Sequence, residues 1–227
     1  MINRKENAAG KTSFYSTCAA SVFWGKGSTM SESKNLKETI IEAAWDLFYE
    51  KGYEQTTIND IISKAGVAKG SFYYYFRSKD TLLGTLSNML DRKYAQIEPE
   101  LMKIDNTFDR LMEMNYQVHN YIGTKIDYKL LGNLYAAQLT KDDGGFLLDQ
   151  NRYYFRLLTR IVTEGQTKGE ITREKTVLQI VRLYSLCERA LVTDWCMNNG
   201  SYDLGEFSRE YMPVLFAKFR GDAGKNS

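Results

Sequence analysis

The residue types that usually carry catalysis are sparse in this sequence. The 227 residues include one histidine, His119, and three cysteines, Cys18, Cys187 and Cys196, which form no CxxC pair. Neither a nucleophile with a neighbouring base, nor a set of metal ligands, nor a glycine-rich phosphate loop can be assembled from the sequence. We therefore expect a protein that is not an enzyme and that uses no cofactor and no metal.

The chemistry that the sequence does offer is recognition of anions and flat rings, in the stretch GVAKGSFYYYFRSK from Gly66 to Lys79. Lys69 opens a predicted short helix and Lys79 opens the longer helix predicted over residues 79–97, and at both starts the helix dipole makes a cation mildly unfavourable. An anion docked at these ends would reverse that effect, and a phosphate suits such a place. Two solvated lysines are the alternative interpretation.

A helical wheel separates the aromatic residues of this stretch. The four-residue spacing of Phe72 and Phe76 places both on the inner face of a short helix. At roughly 100° per residue, Tyr74 lies about 200° from Phe72 and points outward. Tyr73 lies on a flank, and Tyr75 is predicted to be half-buried. Tyr73 and Tyr74 are thus expected at the surface, either as ordinary amphipathic rings or as contacts for a partner.

Gly70 shares the outward position one turn before Tyr74. A glycine inside a helix costs on the order of 1 kcal/mol relative to alanine. Close approach of a bulky partner would explain its presence, and tolerance of glycine in a first helical turn is the alternative.

The flanking sequence predicts the elements that would hold this stretch. Apolar residues at helical spacing predict a first helix from about Lys34, ended by Gly52. Thr57 with Asp60 three residues later is typical of a capping box, and Gly66 permits a sharp turn after the second helix. Two short helices joined by a tight glycine turn and supported by a longer helix form a helix-turn-helix, whose second helix would enter a major groove.

The segment GYEQTTINDIISKAGVAKGSFYYYFRSKDTLL, from Gly52 to Leu83, resembles the TetR family of bacterial transcriptional regulators, and the likeness extends from Lys34 to about Tyr94. It implies a regulator, most simply a repressor, that binds a palindromic operator in double-stranded DNA as a homodimer and is released by a small-molecule effector. It also implies the DNA-contact positions Thr57, Asn59, Lys69, Gly70, Ser71, Tyr73, Tyr74, Tyr75 and Lys79, the last as a phosphate-binding lysine.

Two positions depart from the pattern of that family. Ala68 stands where a serine or threonine N-cap is frequent, and Tyr75 stands where histidine is common. Little in the stretch resembles an arginine that reads guanine. We therefore assign base choice to Ser71, Asn59 and the tyrosine edges, with a contribution from DNA shape.

Composition predicts an all-α, cytoplasmic protein. Pro99 and Pro213 are the only prolines, so helices have few interruptions, and the odd number of unpaired cysteines favours a reducing compartment. The formal net charge is +2, so DNA binding has to rest on local charge placement. No apolar run approaches the length of a membrane span, and we expect no membrane partner.

The predicted organisation has four parts. Residues 1–30 are expected to be a poorly ordered extension, and Met30 could be the natural start because GKGSTM can be encoded by a ribosome-binding-type purine run. A basic arm that touches DNA is the alternative, whereas Lys11 interrupts what a signal peptide would need. Residues 31–78 form the DNA-binding head, 79–221 the regulatory and dimerisation body, with the helix 79–97 shared, and 222–227 the tail.

The body is predicted to contain five further helices, namely Thr107–Gly123, Tyr128–Thr140, Phe146–Lys168, Glu174–Asn198 and Leu204–Phe219, with Pro213 kinking or dividing the last. The wide apolar faces of the final two helices could complete a monomer core. The resemblance implies instead that they pair with a second copy. The dimer-interface candidates are Val181, Tyr184, Leu191, Phe207, Tyr211 and Leu215.

The middle helices are rich in aromatic residues and methionine, which most simply form the core. The resemblance implies a ligand cavity among them, for a largely apolar or aromatic effector. The candidate ligand-binding residues are Met89, Phe108, Met112, Tyr116, His119, Tyr135 and Tyr153. The competing hypothesis is a DNA-organising or protein-interaction protein that has a TetR-like head and no effector.

Overall fold

The protein is all-α over the residues that the structure, a computed structural model, describes: 36–140 and 147–221. In these ranges an isolated antiparallel bridge between Ile171 and Arg220 is the only extended pairing. The all-α prediction is therefore confirmed. The expectations for residues 1–30, for the loop 141–145, for the helix start at Phe146 and for the tail 222–227 lie outside the described residues.

Ten α-helices follow one another in these ranges, and the chain divides into two compact units between Thr85 and Leu86. The helices are α1 (Leu36–Lys51), α2 (Ile58–Ala65), α3 (Lys69–Tyr75), α4 (Lys79–Leu83), α5 (Thr85–Leu101), α6 (Thr107–Lys125), α7 (Tyr128–Thr140), α8 (Tyr153–Lys168), α9 (Val177–Met197) and α10 (Leu204–Phe216). A 3-10 turn, Ala217–Phe219, follows α10. No helix of the described ranges is long and apolar enough to cross a membrane.

The first unit is a helix-turn-helix head. Its core contains the apolar stripe of α1, centred on Trp45, together with Ile61 of α2 and Phe72 of α3, all of them buried. The Trp45 indole donates a hydrogen bond from Nε1 to Thr85 Oγ1 at 2.8 Å, so the buried ring has its polar atom satisfied. Gly66 ends α2 with φ of 65°, the left-handed conformation that the sharp turn into α3 requires.

The junction between the head and the second unit differs from the expectation of one helix over residues 79–97. The structure has two helices there, because α4 ends at Leu83 and α5 begins at Thr85. Gly84 separates them while keeping a right-handed helical backbone, with φ of −59° and ψ of −23°. Further on, α5 continues through Pro99 to Leu101 instead of stopping ahead of the proline.

The second unit, the helical body, is built around α6, which packs closely against α10. A Cβ placed on Gly205 would lie 2.8 Å from the Cβ and 2.9 Å from the Cα of Asn120, so only glycine allows this approach. A Cβ on Gly123 would lie 3.2 Å from that of Leu204 at the same contact. Residues that face each other across α6 and α10 are therefore held in tight register.

Capping explains where the body helices begin. Asp91 of α5 accepts hydrogen bonds from the backbone nitrogens of Tyr153 and Tyr154, at 3.2 and 3.4 Å, so α8 starts at Tyr153. Thr176 and Gln179 form a capping box, so α9 starts at Val177 and not at Glu174. Pro213 lies inside α10 without dividing it, since the helix continues to Phe216.

Candidate functional site

The structure confirms the two faces of α3. Phe72 is fully buried and Phe76 is nearly so, whereas 82% of Tyr74 is exposed. Tyr73 is also exposed, and Tyr75 is half-buried as predicted. The ring of Tyr75 meets that of Tyr74 edge to face at 4.9 Å between centroids, which limits the freedom of the outer ring.

Gly70 and its neighbours complete the outer surface of α3. Lys69 and Gly70 are exposed and Ser71 is half-buried. Among the described residues, a Cβ on Gly70 would have no atom within 4 Å beyond its chain neighbours and the backbone of α3, so internal packing does not account for the glycine. The space outside Gly70 is open to a partner.

The hydroxyl group of Thr57 caps the start of α2. Its Oγ1 accepts a hydrogen bond from the Asp60 nitrogen at 3.2 Å and donates one to Asp60 Oδ2 at 2.6 Å. Lys51 lies 2.6 Å from the same carboxylate oxygen and, with Thr57, holds the pKa of Asp60 well below its ordinary value. The capping box is confirmed, and Thr57 and Asn59 both lie exposed at the start of α2.

Lys79 is engaged within the head. Its Nζ donates to the carbonyl oxygens of Tyr53 at 2.7 Å and Thr56 at 3.0 Å, and it lies 4.1 Å from the centroid of the Tyr53 ring. The Tyr53 hydroxyl in turn bonds the Asp80 carboxylate, and burial together with Asp80 raises the pKa of that tyrosine. Two of the three ammonium donors thus fix the loop before α2, which leaves one for a phosphate.

The predicted ligand-binding residues have different surroundings in the body. Phe108 is buried against Phe216, and Tyr116 lies beneath the Arg209 guanidinium, 3.4 Å from the ring centroid. Tyr153 bonds Glu98 through its hydroxyl. Of the remaining candidates, Met89 and His119 are buried, and Met112 and Tyr135 are half-buried.

His119 belongs to a buried polar cluster that also contains Asn115, Tyr154, Glu188 and Ser208, which we call the internal polar cluster. Apart from His119, these residues were not predicted from the sequence. The signal that could have found them is a polar residue inside an apolar stripe.

Glu188 shows that signal, because it lies between Tyr184 and Leu191 on the buried side of α9. Asn115 lies in the same way between Leu111 and Val118 on α6.

Hydrogen bonds link the side chains of the internal polar cluster one after another, from Tyr154 to Ser208. Tyr154 donates from its hydroxyl to Glu188 Oε2 at 2.5 Å, and Asn115 Nδ2 donates to Glu188 Oε1 at 3.1 Å. Asn115 Nδ2 also lies 3.4 Å from His119 Nε2, and His119 Nδ1 lies 2.5 Å from Ser208 Oγ. An amide can only donate from Nδ2, so Nε2 accepts and Nδ1 carries the histidine proton that is donated to Ser208.

Burial shifts the pKa values of Glu188 and His119 toward their neutral forms. The pKa of Glu188 rises from 4.5 to about 7, because burial outweighs the hydrogen bonds from Tyr154 and Asn115. The pKa of His119 falls from 6.5 to about 3, again because of burial. Near neutral pH the histidine is uncharged and the carboxyl group is close to its midpoint.

The two shifts have opposite effects on stability. The pKa of Glu188 is higher in the folded chain, so its contribution is present below about pH 4.5 and is lost as the pH rises to about 7. The pKa of His119 is lower in the folded chain, so its contribution is present above about pH 6.5 and is lost as the pH falls toward 3.

Replacing Glu188 with glutamine should therefore reveal the pH dependence of stability that comes from His119. In the wild type the two effects largely offset each other between about pH 8 and pH 5.5. The stability difference between wild type and Glu188→Gln should grow in favour of the wild type by about 2 kcal/mol across that range. Urea unfolding at a series of pH values measures it. A difference that is independent of pH would contradict the burial of an ionisable carboxyl group at Glu188.

The structure corrects half of the predicted dimer interface. Val181, Tyr184 and Leu191 are buried within the chain itself, and the Tyr184 hydroxyl donates to the Leu111 carbonyl at 2.6 Å. The apolar spacing on α9 includes the stripe that faces the core, which is why these residues resembled an interface. Phe207 is half-buried and stacks on Tyr211, at 4.4 Å between centroids.

Other apolar side chains of the last two helices are exposed. Tyr211 and Leu215 belong to the predicted set, and four further residues were not predicted. One of these four, Met197, is the last residue of α9. The other exposed residues are Leu178, Leu186, Tyr211, Val214 and Leu215, which we call the α9–α10 apolar face.

Comparisons with known families agree with both units. Residues 40–86 match the model of the bacterial regulatory proteins of the tetR family, and residues 148–217 match that of the C-terminal region of YsiA-like proteins. The chain is similar to the fatty acid metabolism regulator protein of Bacillus subtilis, with 25% identity over 78% of this chain and 91% of that protein. It is 39% identical to a Pseudomonas putida protein named "Probable HTH-type transcriptional regulator ArpR", over 78% of this chain and 87% of that protein.

Solved structures show the same fold. The FadR regulator of Bacillus subtilis in complex with stearoyl-CoA superposes with a TM-score of 0.61 and 25% identity, over 78% of this chain and 96% of that one. FadR of Bacillus halodurans gives a TM-score of 0.63 at 22% identity, over 84% of this chain and all of that one. These relatives are transcriptional regulators and not enzymes. The chain belongs to the TetR family of bacterial transcriptional regulators.

Proposed function

We propose that the chain represses transcription by binding a palindromic operator as a homodimer, through the outer face of α3, until an effector releases it. The observation that carries the proposal is the contrast within α3, where Tyr73 and Tyr74 are exposed on a helix fixed from beneath by the buried rings of Phe72 and Phe76. Such a face has rigid aromatic edges and no role in the core of the head.

The chemistry of this face favours positioning on the DNA backbone. Lys69 supplies an exposed cation and Ser71 a hydroxyl group, while Gly70 lets a sugar–phosphate chain approach. Asn59 and the tyrosine edges are the groups that can reach bases. Lys79 fixes the loop before α2 and offers its remaining donor to a phosphate, and the hydroxyl group of Thr57 acts as the α2 cap.

Dimer formation through the α9–α10 apolar face is the second part of the proposal. One short helix gives little affinity, and two half-sites centred about 34–36 Å apart require two copies. The α9–α10 apolar face exposes large side chains that a second copy would cover, including Leu178 and Val214, with 70% and 71% of their surface accessible.

Replacing Leu186 with glutamate tests this interface. A two-fold interface would place the new carboxylate twice in an apolar contact, and we expect dimer dissociation to rise at least about a hundredfold. Sedimentation equilibrium measures it. Leu139→Glu is the matched control, because Leu139 is 88% exposed on α7 and is not one of the residues of this face. Equal dissociation constants for the two variants would contradict the assignment.

The effector that we propose is an acyl thioester with a long apolar chain, acting in the cytoplasm where the operator lies. Support comes from the likeness to the Bacillus subtilis FadR that was solved with stearoyl-CoA, and from the methionine and aromatic residues of the body. Release requires that the acyl thioester bind the DNA-free state more tightly than the operator-bound state.

A genome-wide binding map in the native host, joined to an operator-release assay, tests the function as a whole. We expect one or a few palindromic sites, and release of the purified chain from such a site by dodecanoyl-CoA. Many scattered sites with no response to dodecanoyl-CoA would contradict the proposal and would favour a DNA-organising protein without an effector.

A further inference from the structure

We propose that the internal polar cluster is the polar end of the effector site, and that it takes a neutral hydrogen-bond donor, a hydroxyl or an amide N–H, carried by an otherwise apolar ligand. The inference rests on the proposed function, because it concerns the group that the same effector presents inside the body. It identifies Asn115 as the residue that selects that group, with its amide held in place by Glu188 and His119.

One polar atom of the Asn115 side chain lacks a hydrogen-bond partner in the described ranges. Its two amide protons are directed at Glu188 Oε1 and His119 Nε2. Its Oδ1 is buried and has no hydrogen-bond partner in the described ranges, and no part of the residue is exposed. Buried polar atoms without a partner are rare, so the one at Asn115 calls for a donor.

That oxygen can only accept. A group that donates a hydrogen bond to Asn115 Oδ1 would stabilise the liganded chain relative to the unliganded one, because the unliganded chain buries the acceptor unpaired. An ester, a ketone or a thioether would leave the oxygen as it is. The position therefore discriminates donors from acceptors among molecules of the same shape.

Several helices of the body contribute to the neighbourhood of the cluster. Asn115 comes from α6, Tyr154 from α8 and Glu188 from α9. Tyr94 of α5 packs on Tyr154 at 4.9 Å between ring centroids. Tyr135 of α7 is half-buried, and burial, together with nearby charges that include Glu188, raises its pKa. The cluster is therefore bordered by tyrosine rings, which suit an apolar ligand body.

The charges around the cluster favour a neutral ligand group. An anion would meet two acceptors, Asn115 Oδ1 and the Glu188 carboxyl group, while the donors of Asn115 and Tyr154 are already directed at Glu188 and His119. A cation would have to lose its hydration beside Glu188, which already accepts from Tyr154 and Asn115 and whose pKa burial raises toward the neutral form. A hydroxyl or amide N–H meets neither penalty.

A set of four ten-carbon probes tests the inference on the full chain at neutral pH. The probes are 1-decanol, methyl decanoate, decanoate and decylammonium, which share a chain and differ in their polar end. We expect 1-decanol to bind at least about tenfold more tightly than methyl decanoate, the gain of one hydrogen bond, and both ions to bind more weakly than 1-decanol. Methyl decanoate or either ion binding as tightly as 1-decanol would overturn the inference.

Two variants locate the selecting atom. Asn115→Leu, which keeps the side-chain shape, should lose the preference for 1-decanol, whereas Tyr154→Phe should keep it because Asn115 Oδ1 is unchanged. Retention of the preference in Asn115→Leu would overturn the assignment. If Asn115→Leu does not fold, the wild-type probe series decides alone.

The same experiment separates this inference from the proposed function. Release of the operator by dodecanoyl-CoA without a preference for 1-decanol would overturn only the inference, as would an internal water molecule that already satisfies Asn115 Oδ1. Failure of dodecanoyl-CoA and of all four probes to bind would overturn both.

Discussion

Replacing Tyr74 with alanine should lower operator affinity by a factor on the order of a hundred and leave the fold intact. With 82% of its surface exposed, the ring contributes little to the core of the head. An aromatic side chain at a nucleic-acid interface contributes about 1–3 kcal/mol per contact, and a dimer places two copies on the operator. Fluorescence anisotropy with a labelled operator at fixed salt measures the affinity, since binding depends strongly on salt.

Leu139→Ala is the control for that experiment, because it also removes a large exposed apolar side chain but from α7 of the body. We expect both variants to keep the thermal unfolding midpoint of the wild type, and only Tyr74→Ala to lose operator affinity. Equal affinity for the two variants would show that the outer face of α3 does not contact DNA.

Replacing Phe72 with alanine should have the opposite profile, with the loss appearing in stability. Phe72 is fully buried in the head and meets the ring of Phe76 at 5.9 Å between centroids. Removing a buried phenylalanine side chain typically costs about 3–5 kcal/mol, from lost burial and from the cavity that remains. Urea unfolding followed by circular dichroism measures the change.

Phe72→Leu should recover most of that stability, because leucine refills much of the same volume. Operator binding should follow the folded fraction in both variants. An unchanged free energy of unfolding in Phe72→Ala would contradict the placement of Phe72 in the core. Variants of Phe72 thus test the packing that holds α3 in place, and variants of Tyr74 test the contact of α3 with DNA.

Local signals were sufficient to predict the head. The four-residue spacing of Phe72 and Phe76 determined which tyrosines point outward, and Thr57 with Asp60 gave the start of α2. These features depend on residues within one or two turns of each other, where helical geometry is nearly fixed.

Interactions between residues far apart in the chain could not be predicted from the sequence. The start of α8 depends on Asp91, more than sixty residues earlier in the chain. In the internal polar cluster, Asn115 and Glu188 are 73 positions apart, and His119 and Ser208 are 89 apart. No local pattern relates such pairs, because tertiary packing brings them together.

At two further places the structure differs from the prediction because the same residue pattern is compatible with two structural roles. The apolar residues of α9 serve the core through Tyr184 and the surface through Leu186, and spacing alone does not separate the two sets. Lys79 occupies the expected phosphate position and also holds the carbonyl groups of Tyr53 and Thr56. A lysine with three donors can do both, so residue type does not decide between them.

Site-specific photo-crosslinking tests the central claim most directly, that the outer face of α3 contacts operator DNA. The full chain with a benzoylphenylalanine at position 74 is bound to its operator and irradiated, with the same residue at position 139 as the control. We expect crosslinks from position 74 to nucleotides within each half of the palindrome and none from position 139. A stable operator complex in which position 74 gives no crosslink to DNA would contradict it.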